Sequence, residues 1–498
     1  MSDEPVMERL HPLTMVTGLG AVIKSVWGAI AAAAFLLYSG RTYIALAIIG
    51  FAFVSGFLAP ILRWLSFSWR VDDDEVLMNS GIVNRNHRSI PFDRIQDVNI
   101  EQNPLHRAFG LARVKLETGA SAGKGEEDGI IDSIPLDRAN ALRDRVRAHR
   151  AGVTNPLAAS GGAEAEVLDD AEERAPVFAM DQRRVLLAGI FNFSLAVVGA
   201  VFGLMQTMGD VANLNFFSRQ FWLEQFDVSN PLISYIVAHQ IVAIFAGVIS
   251  LIFIGLATGV VRTVLRDWNF RLDRTQTGFR RRRGLLTLTD TVLPSKRVQA
   301  AVFINGPVKR RFGWTSLKLQ SLAQDSGGSG DHVVAPLARP VEGDEILGAM
   351  DWRSLPPIDD SWDRPSPALV MMSLIWFIPI FIIGIAAGLL LTPWAFIASG
   401  VMALLSVLTL LDWRWRRHRV DGDRFLIRSG WWRRRLVILP LAKVQSIDLK
   451  RNFIDRWFGV ASIKLGVAGG GGFAAHGVEA VPARAAMDLR DQLLADVR

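Results

Sequence analysis

The chain contains no cysteine, and it has only eight histidines among 498 residues. The lack of cysteine excludes a disulfide framework and a cysteine-ligated metal site. The histidines are scattered, without an HExxH motif or a nearby pair at ligand spacing. The sequence therefore predicts no catalytic residue, no cofactor-binding residue and no metal ligand. We expect the protein not to be an enzyme.

A phosphate-binding loop is lacking as well. The glycine-rich segment 119–125 contains a lysine, but neither the glycine spacing nor the residue after Lys124 fits a Walker motif. Glycine-rich stretches at residues 326–330 and 469–472 occupy the equivalent place in two later repeats. Three such stretches at one position are typical of flexible hairpin loops, not of catalytic cradles.

Half of the residues are hydrophobic, yet 21% are charged, and the two kinds alternate in blocks. A membrane-spanning helix needs roughly 20 mostly apolar residues. Six runs approach or exceed that length: 15–38, 42–62, 185–208, 232–261, 368–391 and 394–411. Short connectors close two of the three pairs, so we predict six transmembrane helices arranged as three hairpins.

Each apolar pair precedes one copy of a repeated pattern of proline, glutamine, phenylalanine-glycine and lysine. From the glutamine to the glycine is 14 residues in all three copies. The signature residues are Pro91, Gln96, Phe109, Gly110, Pro294, Gln299, Phe312, Gly313, Pro440, Gln445, Phe458 and Gly459. Such self-similarity is the mark of a repeated structural unit.

Short β-prone runs followed by a helical pattern predict a small β-sandwich closed by a C-terminal helix in each copy. We expect each signature proline to start a new strand, because its φ is fixed and it lacks a ladder donor. The glutamine is expected to tie a loop to the backbone. The phenylalanine is expected to anchor the core beside a glycine with positive φ. We expect this set to be structural and not chemical.

The resulting division has nine parts. They are an N-terminal cytoplasmic segment (1–14), hairpin 1 (15–62), domain 1 (63–150), an acidic linker (151–176), hairpin 2 (177–261), domain 2 (262–354), a proline-rich linker (355–367), hairpin 3 (368–411) and domain 3 (412–498).

The orientation follows from the basic residues. Each soluble domain follows an even number of predicted crossings, so all three lie on one side of the membrane. Basic clusters crowd that side, which the positive-inside rule makes cytoplasmic. Tryptophans such as Trp64 and Trp413 lie at the same boundaries, where indole rings favour the headgroup layer.

The segments IPFDRIQDVNIEQNPLHRAFGLARVKLETG and LPLAKVQSIDLKRNFIDRWFGVASIKLGVAG resemble the bacterial pleckstrin-homology-like domain of YdbS/YdbT-type membrane proteins. The family signature is a proline, a basic residue, Ile/Val-Gln and a later Arg-x-Phe-Gly. The resemblance covers nearly the whole chain. It implies three seven-stranded sandwiches, each capped by a helix, in a multi-pass protein of the bacterial inner membrane. It implies no established catalytic activity, and it suggests a homo-oligomer or a hetero-oligomer with a one-domain relative.

Basic residues near the strand hairpins are the candidate functional positions. We expect Arg280–Arg283 to occupy the turn after the first strand of domain 2. The candidates for contact with anionic lipid or a partner are Arg85, Arg88, Arg280, Arg281, Arg282, Arg283, Arg433, Arg434 and Arg435. The alternative is a solvated edge that blocks strand aggregation. The pI near 9.9 has a simpler cause in juxtamembrane charge than in nucleic acid, which we do not expect as a partner.

These observations predict a non-catalytic membrane scaffold or assembly platform. One alternative is an exporter or resistance factor for small molecules or peptides. Its pathway would use Lys24 and His239, the only ionisable residues in the apolar runs that fit that role. A second alternative is a sensor of anionic lipid.

Overall fold

The computed structural model of the chain describes residues 7–14, 33, 42–72, 74–81, 86–118, 129–150, 175–193, 199, 203, 239–321, 331–357, 359, 361–467 and 476–497. The chain forms two compact units. The first consists of Met1–Arg174, Ala179–Arg271 and Arg281–Val292, and the second of Ala175–Phe178, Leu272–Arg280 and Leu293–Arg498.

The elements repeat in the same order in each third of the chain. The helices are α1 (Thr42–Ser66), α2 (Pro104–Ala108), α3 (Leu136–Arg150), α4 (Gln182–Phe191), α5 (Gln240–Asp267), α6 (Pro307–Arg311), α7 (Pro340–Gly348), α8 (Ala368–Leu390), α9 (Phe396–Trp415), α10 (Phe453–Trp457) and α11 (Ala483–Val497). The strands of the first third are β1 (Glu8–Arg9), β2 (Ser68–Val71), β3 (Glu75–Ser80), β4 (Asn86–Pro91), β5 (Ile95–Gln102), β6 (Leu111–Thr118) and β7 (Ile130–Pro135). The second third has β8 (Phe178–Ala179), β9 (Arg271–Arg274), β10 (Gly278–Arg283), β11 (Leu288–Pro294), β12 (Val298–Asn305), β13 (Thr315–Ser321) and β14 (Asp331–Ala338). The last third has β15 (Arg417–Asp421), β16 (Arg424–Ser429), β17 (Arg434–Pro440), β18 (Val444–Lys450), β19 (Val460–Val467) and β20 (His476–Pro482).

Three stretches among the described residues are long and apolar enough to cross a membrane. They are Phe245–Asp267, Ala368–Leu390 and Pro393–Trp415, and a shorter apolar stretch, Thr42–Val54, begins α1. The predicted run 15–38, except for residue 33, and most of 185–208 lie outside the described residues, as does Lys24. The helices α5 and α9 continue past the predicted ends at residues 261 and 411, because arginine and aspartate can continue a helix once it leaves the apolar layer.

Glycine and serine bring neighbouring helices close together. A Cβ atom on Gly189 of α4 would lie 2.6 Å from the Cα of Val260 in α5. In the third hairpin, a Cβ on Gly384 of α8 would meet Ser399 of α9 at 2.5 Å, and the Ser399 hydroxyl donates to the Phe381 carbonyl at 2.8 Å. Small residues of this kind allow close backbone approach in membrane bundles.

Domain 1 is a sandwich of two antiparallel sheets, as predicted. One has the strand order β1-β2-β3-β4, and the other contains the order β7-β6-β5. Alternate side chains of the two sheets fill a common core, among them Phe92, Ile95, Leu116 and Ile131. Helix α3 closes it with Leu142 and other apolar residues.

Domain 3 has the same construction. Strands β15-β16-β17 form one sheet and β18-β19-β20 the other. The core contains Phe425 and Leu439 of the first sheet and Ile463 and Leu465 of the second, with Leu493 of helix α11 packed on it. The elements of domain 2, from β9 to α7, follow the same order along the chain.

In domains 1 and 3, a short segment that precedes the membrane hairpin pairs with the first strand after that hairpin. In domain 1, β1 pairs with β2, with Glu8 opposite Trp69. In domain 3, Asp363 forms an equivalent bridge with His418. These paired residues belong to the predicted N-terminal segment (1–14) and the predicted linker (355–367).

Two boundary tryptophans hold these segments in place. The indole nitrogen of Trp64 donates to the Leu10 carbonyl at 2.9 Å, and that of Trp413 donates to the Pro365 carbonyl at 2.9 Å. Trp64 lies six residues before Arg70, and Trp413 lies six residues before Arg419, at the same position of the repeat. The sequence predicted these indole rings at the headgroup layer. In the structure, their N–H groups bind backbone carbonyls.

The signature prolines end strands and do not start them. Pro91, Pro294 and Pro440 are the last residues of β4, β11 and β17. Each precedes a single 3-10 turn, with φ of −58°, −64° and −61° respectively. The fixed φ of proline suits this exit from the strand, so the predicted role as a strand start is wrong.

The signature glutamine is the extra residue of a β-bulge in all three copies. The register shifts between Ile95 and Asp97, between Val298 and Ala300, and between Val444 and Ser446. The skipped residues are Gln96, Gln299 and Gln445. A bulge bends the strand and increases its twist locally, which explains why this position keeps a constant distance from the proline.

Gly110, Gly313 and Gly459 have φ of 64°, 70° and 65°, which confirms the expected left-handed conformation. Each ends a short helix, α2, α6 or α10. The adjacent phenylalanine is not a core anchor in two copies, because Phe109 and Phe312 are more than half exposed. Phe458 packs instead beside Ala368 in the first turn of α8.

Candidate functional site

Consecutive domains are joined edge to edge by backbone pairing. Strand β5 of domain 1 pairs antiparallel with β11 of domain 2, with Ile100 opposite Asp290 and Gln102 opposite Leu288. Strand β12 of domain 2 pairs in the same way with β17 of domain 3, from Ala301 opposite Ile438 to Asn305 opposite Arg434. We call these two pairings joint 1 and joint 2.

The two joints have the same register. In joint 1, Ile100 lies four residues after the signature glutamine and faces Asp290, four residues before the signature proline. In joint 2, Phe303 and Leu436 occupy the same two positions and face each other. The constant spacing of the sequence signature therefore sets the geometry of a repeated joint between domains.

The arginine of the Arg-x-Phe-Gly motif belongs to this joint. In joint 1 the Nη1 of Arg107 donates to the Leu285 carbonyl of domain 2 at 2.9 Å. Its counterpart in domain 2, Arg310, lies close enough to Arg428 and Arg434 of domain 3 for its charge to act on both. In domain 3, which no further domain follows in this sequence, the counterpart Arg456 is exposed.

Further polar contacts differ between the joints. In joint 1, Arg143 of helix α3 forms an ion pair with Asp290 at 3.3 Å. In joint 2, the Nζ of Lys443 donates to the Lys296 carbonyl at 2.8 Å. In addition, His476 of domain 3 contacts Gln320 of domain 2, with 2.7 Å between His476 Nε2 and Gln320 Oε1.

The surroundings of His476 favour the neutral imidazole. Both side chains are buried. Burial, together with the positive charge of Arg435, lowers the pKa of His476 to about 4, and Asp331 opposes this only in part. A neutral imidazole with the proton on Nε2 satisfies the Gln320 oxygen.

A group of arginines surrounds Trp415 at the end of α9, which we call the Trp415 cluster (Arg310, Trp415, Arg428 and Arg434). The guanidinium of Arg434 lies 3.5 Å from the Trp415 ring centroid, and that of Arg428 lies 4.9 Å from it. Burial and the charges of Arg310 and Arg428 lower the pKa of Arg434 to about 10. Nη1 of Arg310 and Nε of Arg434 are buried without a hydrogen-bond partner.

A cleft of about 1130 Å³ separates the third hairpin from the loop and strand ends of domain 3. Apolar residues of α8 and α9, including Met372, Trp376 and Leu405, line one side. Five basic and three acidic residues line the rest: Arg416, Arg433, Lys450, Arg451, Lys464, Asp412, Asp455 and Glu479. Burial disfavours the Arg416 cation, but hydrogen bonds to Asp412 and Glu479, both at 2.7 Å, raise the pKa of Arg416.

The basic residues selected from sequence occupy three different environments. Arg280–Arg283 lie in strand β10 and not in the turn after the first strand, and Arg280, Arg281 and Arg283 are buried. Arg283 forms an ion pair with the buried Asp267 at 3.3 Å. The prediction was wrong because it took a run of arginines for a solvated turn, whereas successive residues of β10 are buried.

The remaining candidates are more accessible. Arg433 and Arg435 are exposed and Arg434 is half-buried, all at the β16–β17 hairpin. Arg88 is half-buried in β4, and Arg85 lies outside the described residues. His239 is exposed at the N-terminus of α5. The structure thus brings Arg434 together with Arg310 and Arg428, which sequence reasoning did not single out.

One constellation has the residue types of a hydrolase triad but not its geometry. His106 Nε2 lies 3.0 Å from Ser133 Oγ and 3.4 Å from Asp132 Oδ1. In a Ser-His-Asp triad the serine and the aspartate contact opposite imidazole nitrogens. Here both approach the same nitrogen, and all three residues are buried. Despite the opposing effect of burial, hydrogen bonds from His106 and Arg113 lower the pKa of Asp132.

The fold and the joints define a class of protein: consecutive pleckstrin-homology-like sandwiches attached to apolar helices. The Bacterial PH domain family model matches residues 16–150, 220–350 and 372–497. The chain therefore belongs to the bacterial PH domain family.

Two relatives come from Bacillus subtilis (strain 168). The chain is 23% identical over 483 residues to the UPF0699 transmembrane protein YdbT, covering 92% of this chain and 91% of that protein. It is 29% identical over 93 residues to the UPF0699 transmembrane protein YdbS, covering 19% of this chain and 55% of that protein. No solved structure matches the chain.

The buried His476 makes joint 2 sensitive to acid. Because the pKa of His476 is about 4 in the folded protein and about 6.5 when unfolded, its contribution is complete above pH 6.5. It is lost as the pH falls toward 4, by about 3 kcal/mol at most. We expect His476→Gln to reduce the acid-induced fall in the thermal unfolding midpoint of the detergent-purified protein.

His418→Gln is the matched control, because burial also lowers the pKa of His418 but this residue lies outside joint 2. A fluorophore on Lys296→Cys, whose backbone carbonyl accepts from Lys443 at joint 2, reports opening of the joint both in the otherwise wild-type protein and together with His476→Gln. Equal acid sensitivity of the wild-type and His476→Gln proteins at that reporter would contradict the assignment.

Proposed function

We propose that the protein is a non-catalytic scaffold of the bacterial inner membrane, whose PH-like domains form one assembly platform. The observation that carries this proposal is the identical register of joints 1 and 2. Flexible tethers alone would leave neighbouring domains independent, whereas backbone pairing at each joint binds one domain to the next.

The proposal includes six membrane-spanning helices with all three domains in the cytoplasm. It is supported by the three apolar spans among the described residues and by the basic residues that follow them. The pairing of successive domains also requires that they share one side of the membrane.

Topology reporters test this arrangement. Cytoplasmic and periplasmic reporter fusions after Arg150, Asp351 and Arg498 should all report the cytoplasm, because each follows an even number of crossings. Fusions within residues 209–231 should report the opposite side. A periplasmic signal at any one of the three domain ends would rule out the six-helix arrangement.

The proposed partners are further PH-like domains, supplied by another copy of the chain or by a one-domain relative. The similarity to YdbS, which is confined to one domain's length of this chain, supports such a partner because the joint needs only one domain with matching edges.

Capture from native membranes tests the scaffold role. A tagged full-length protein, solubilised in mild detergent, should co-purify a one-domain relative or further copies of the chain in fixed proportion. A tagged membrane protein of similar size and unrelated fold is the control. Recovery of only the tagged monomer, with the same companions as the control, would argue against a scaffold.

Contact with anionic lipid is a second candidate function, and it is favoured by the Trp415 cluster. Burial and the charges of Arg310 and Arg428 lower the pKa of Arg434, and a phosphate anion would stabilise these grouped cations. The buried Arg310 and Arg434 nitrogens without partners supply donors for it. The cluster includes the end of α9, where the headgroups of the inner leaflet would lie.

We expect Arg434→Gln to reduce retention of phosphatidylglycerol by about fivefold, since one cation near an acidic leaflet contributes about 1 kcal/mol. Native mass spectrometry of the full chain, titrated with phosphatidylglycerol or phosphatidylcholine, measures the fraction of protein that retains each lipid. Arg490→Gln, which removes an exposed arginine paired with Asp491, is the matched control. Unchanged phosphatidylglycerol retention in Arg434→Gln would refute this role.

A further inference from the structure

Each joint uses two kinds of strand edge. The preceding domain contributes the strand that follows the signature proline, β5 or β12. The next domain contributes the strand that ends in that proline, β11 or β17. Within the described residues, the corresponding strands at the two ends of the row, β18 of domain 3 and β4 of domain 1, are the last strands of their sheets.

Burial shows that these two strands are open edges. In β12, the stretch from Val298 to Phe303 is buried, whereas in the equivalent strand β18 Gln445, Ser446 and Asp448 are exposed. In β4, His87 and Ser89 are exposed. An unpaired strand edge offers a row of backbone donors and acceptors to another strand.

We propose that β18 of one copy of the chain pairs with β4 of a second copy, in the register of joints 1 and 2. This inference rests on the proposed scaffold function and names its partner as another copy of the chain. Leu449 lies four residues after Gln445, and His87 lies four residues before Pro91, so these two residues face each other. Asp448 then faces Arg88, and Ile447 faces Ser89.

The charges at this pairing are complementary. Asp448 is exposed at the edge of β18, and the register places it directly opposite Arg88, where opposite charges stabilise a cross-strand pair. Arg456 is exposed, and its counterpart Arg107 donates to a carbonyl of the next domain in joint 1. Arg456 is therefore placed to bind the second copy in the same way. Charged residues do not prevent such pairing, since Arg434 and Arg435 already lie in the paired part of β17.

The contact is heterologous, because it joins two different surfaces of the chain. Heterologous contacts between identical subunits close into rings or continue into rows. Subunits held in one orientation by a membrane can close only around an axis normal to that membrane. The inference therefore predicts a cyclic or linear array of copies of the chain.

Disulfide cross-linking tests the register without background, because the natural chain has no cysteine. Two full-length proteins with different tags, one carrying Asp448→Cys and the other Arg88→Cys, are co-reconstituted in liposomes and oxidised. Opposed residues lie within disulfide reach, so a mixed dimer with both tags is expected on a non-reducing gel. Asn86→Cys replaces Arg88→Cys as the control that is two residues out of register.

A charge reversal provides the second measurement. Asp448→Arg should weaken association about fivefold by placing like charges opposite each other, and the double variant Asp448→Arg/Arg88→Asp should restore it. Absence of the mixed dimer, or equal yields from the two cysteine pairs, would overturn the inference. If the β18–β4 pairing fails these tests, recovery of a one-domain relative in the membrane capture would still support the scaffold role. Failure of the pairing is therefore distinguishable from failure of the scaffold role.

Discussion

The pairing of exposed strand edges is the constraint on which the rest of this architecture depends. A small two-sheet sandwich has open edges, and each edge presents backbone groups that must be paired, covered or hydrated. Here the edge after the signature proline in one domain is paired by the edge before it in the next. The repeat of the sequence is therefore also a repeat of the contact, and the domains share sheets instead of lying side by side.

Strand pairing also ties each of domains 1 and 3 to its membrane hairpin. The short segment before the hairpin pairs with the first strand after it, and a tryptophan at the end of the second helix binds that segment's backbone. In domain 3, Phe458 packs with Ala368 of α8. A domain held at both ends of its hairpin cannot rotate freely on a single linker.

The sequence predicted the repeat, the two apolar helices of the third hairpin and the sandwich closed by a helix, because spacing and periodicity are local properties. It did not predict what the spacing serves. Gln299 binds a loop as predicted, by donating to the Arg297 carbonyl at 3.0 Å, but the feature common to Gln96, Gln299 and Gln445 is a bulge, which only the pairing of two strands reveals. The burial of Arg280 and the exposure of Phe109 likewise depend on tertiary neighbours. The pre-hairpin strands were missed because two-residue strands carry no alternation, although the equal spacing of Trp64 and Trp413 was a usable signal.

The two joints differ in how their charges are balanced. In domain 2, Arg282 lies 3.8 Å from Asp290, which also receives Arg143 from domain 1. In domain 3 the equivalent of Asp290 is Leu436, which lies directly opposite Arg428. Joint 1 thus places an acid, Asp290, beside arginines of both domains, whereas joint 2 has Leu436 at that position and Arg428 and Arg434 packed on Trp415. Because a nearby anion stabilises grouped cations, the proposed contact with a lipid phosphate would act at joint 2.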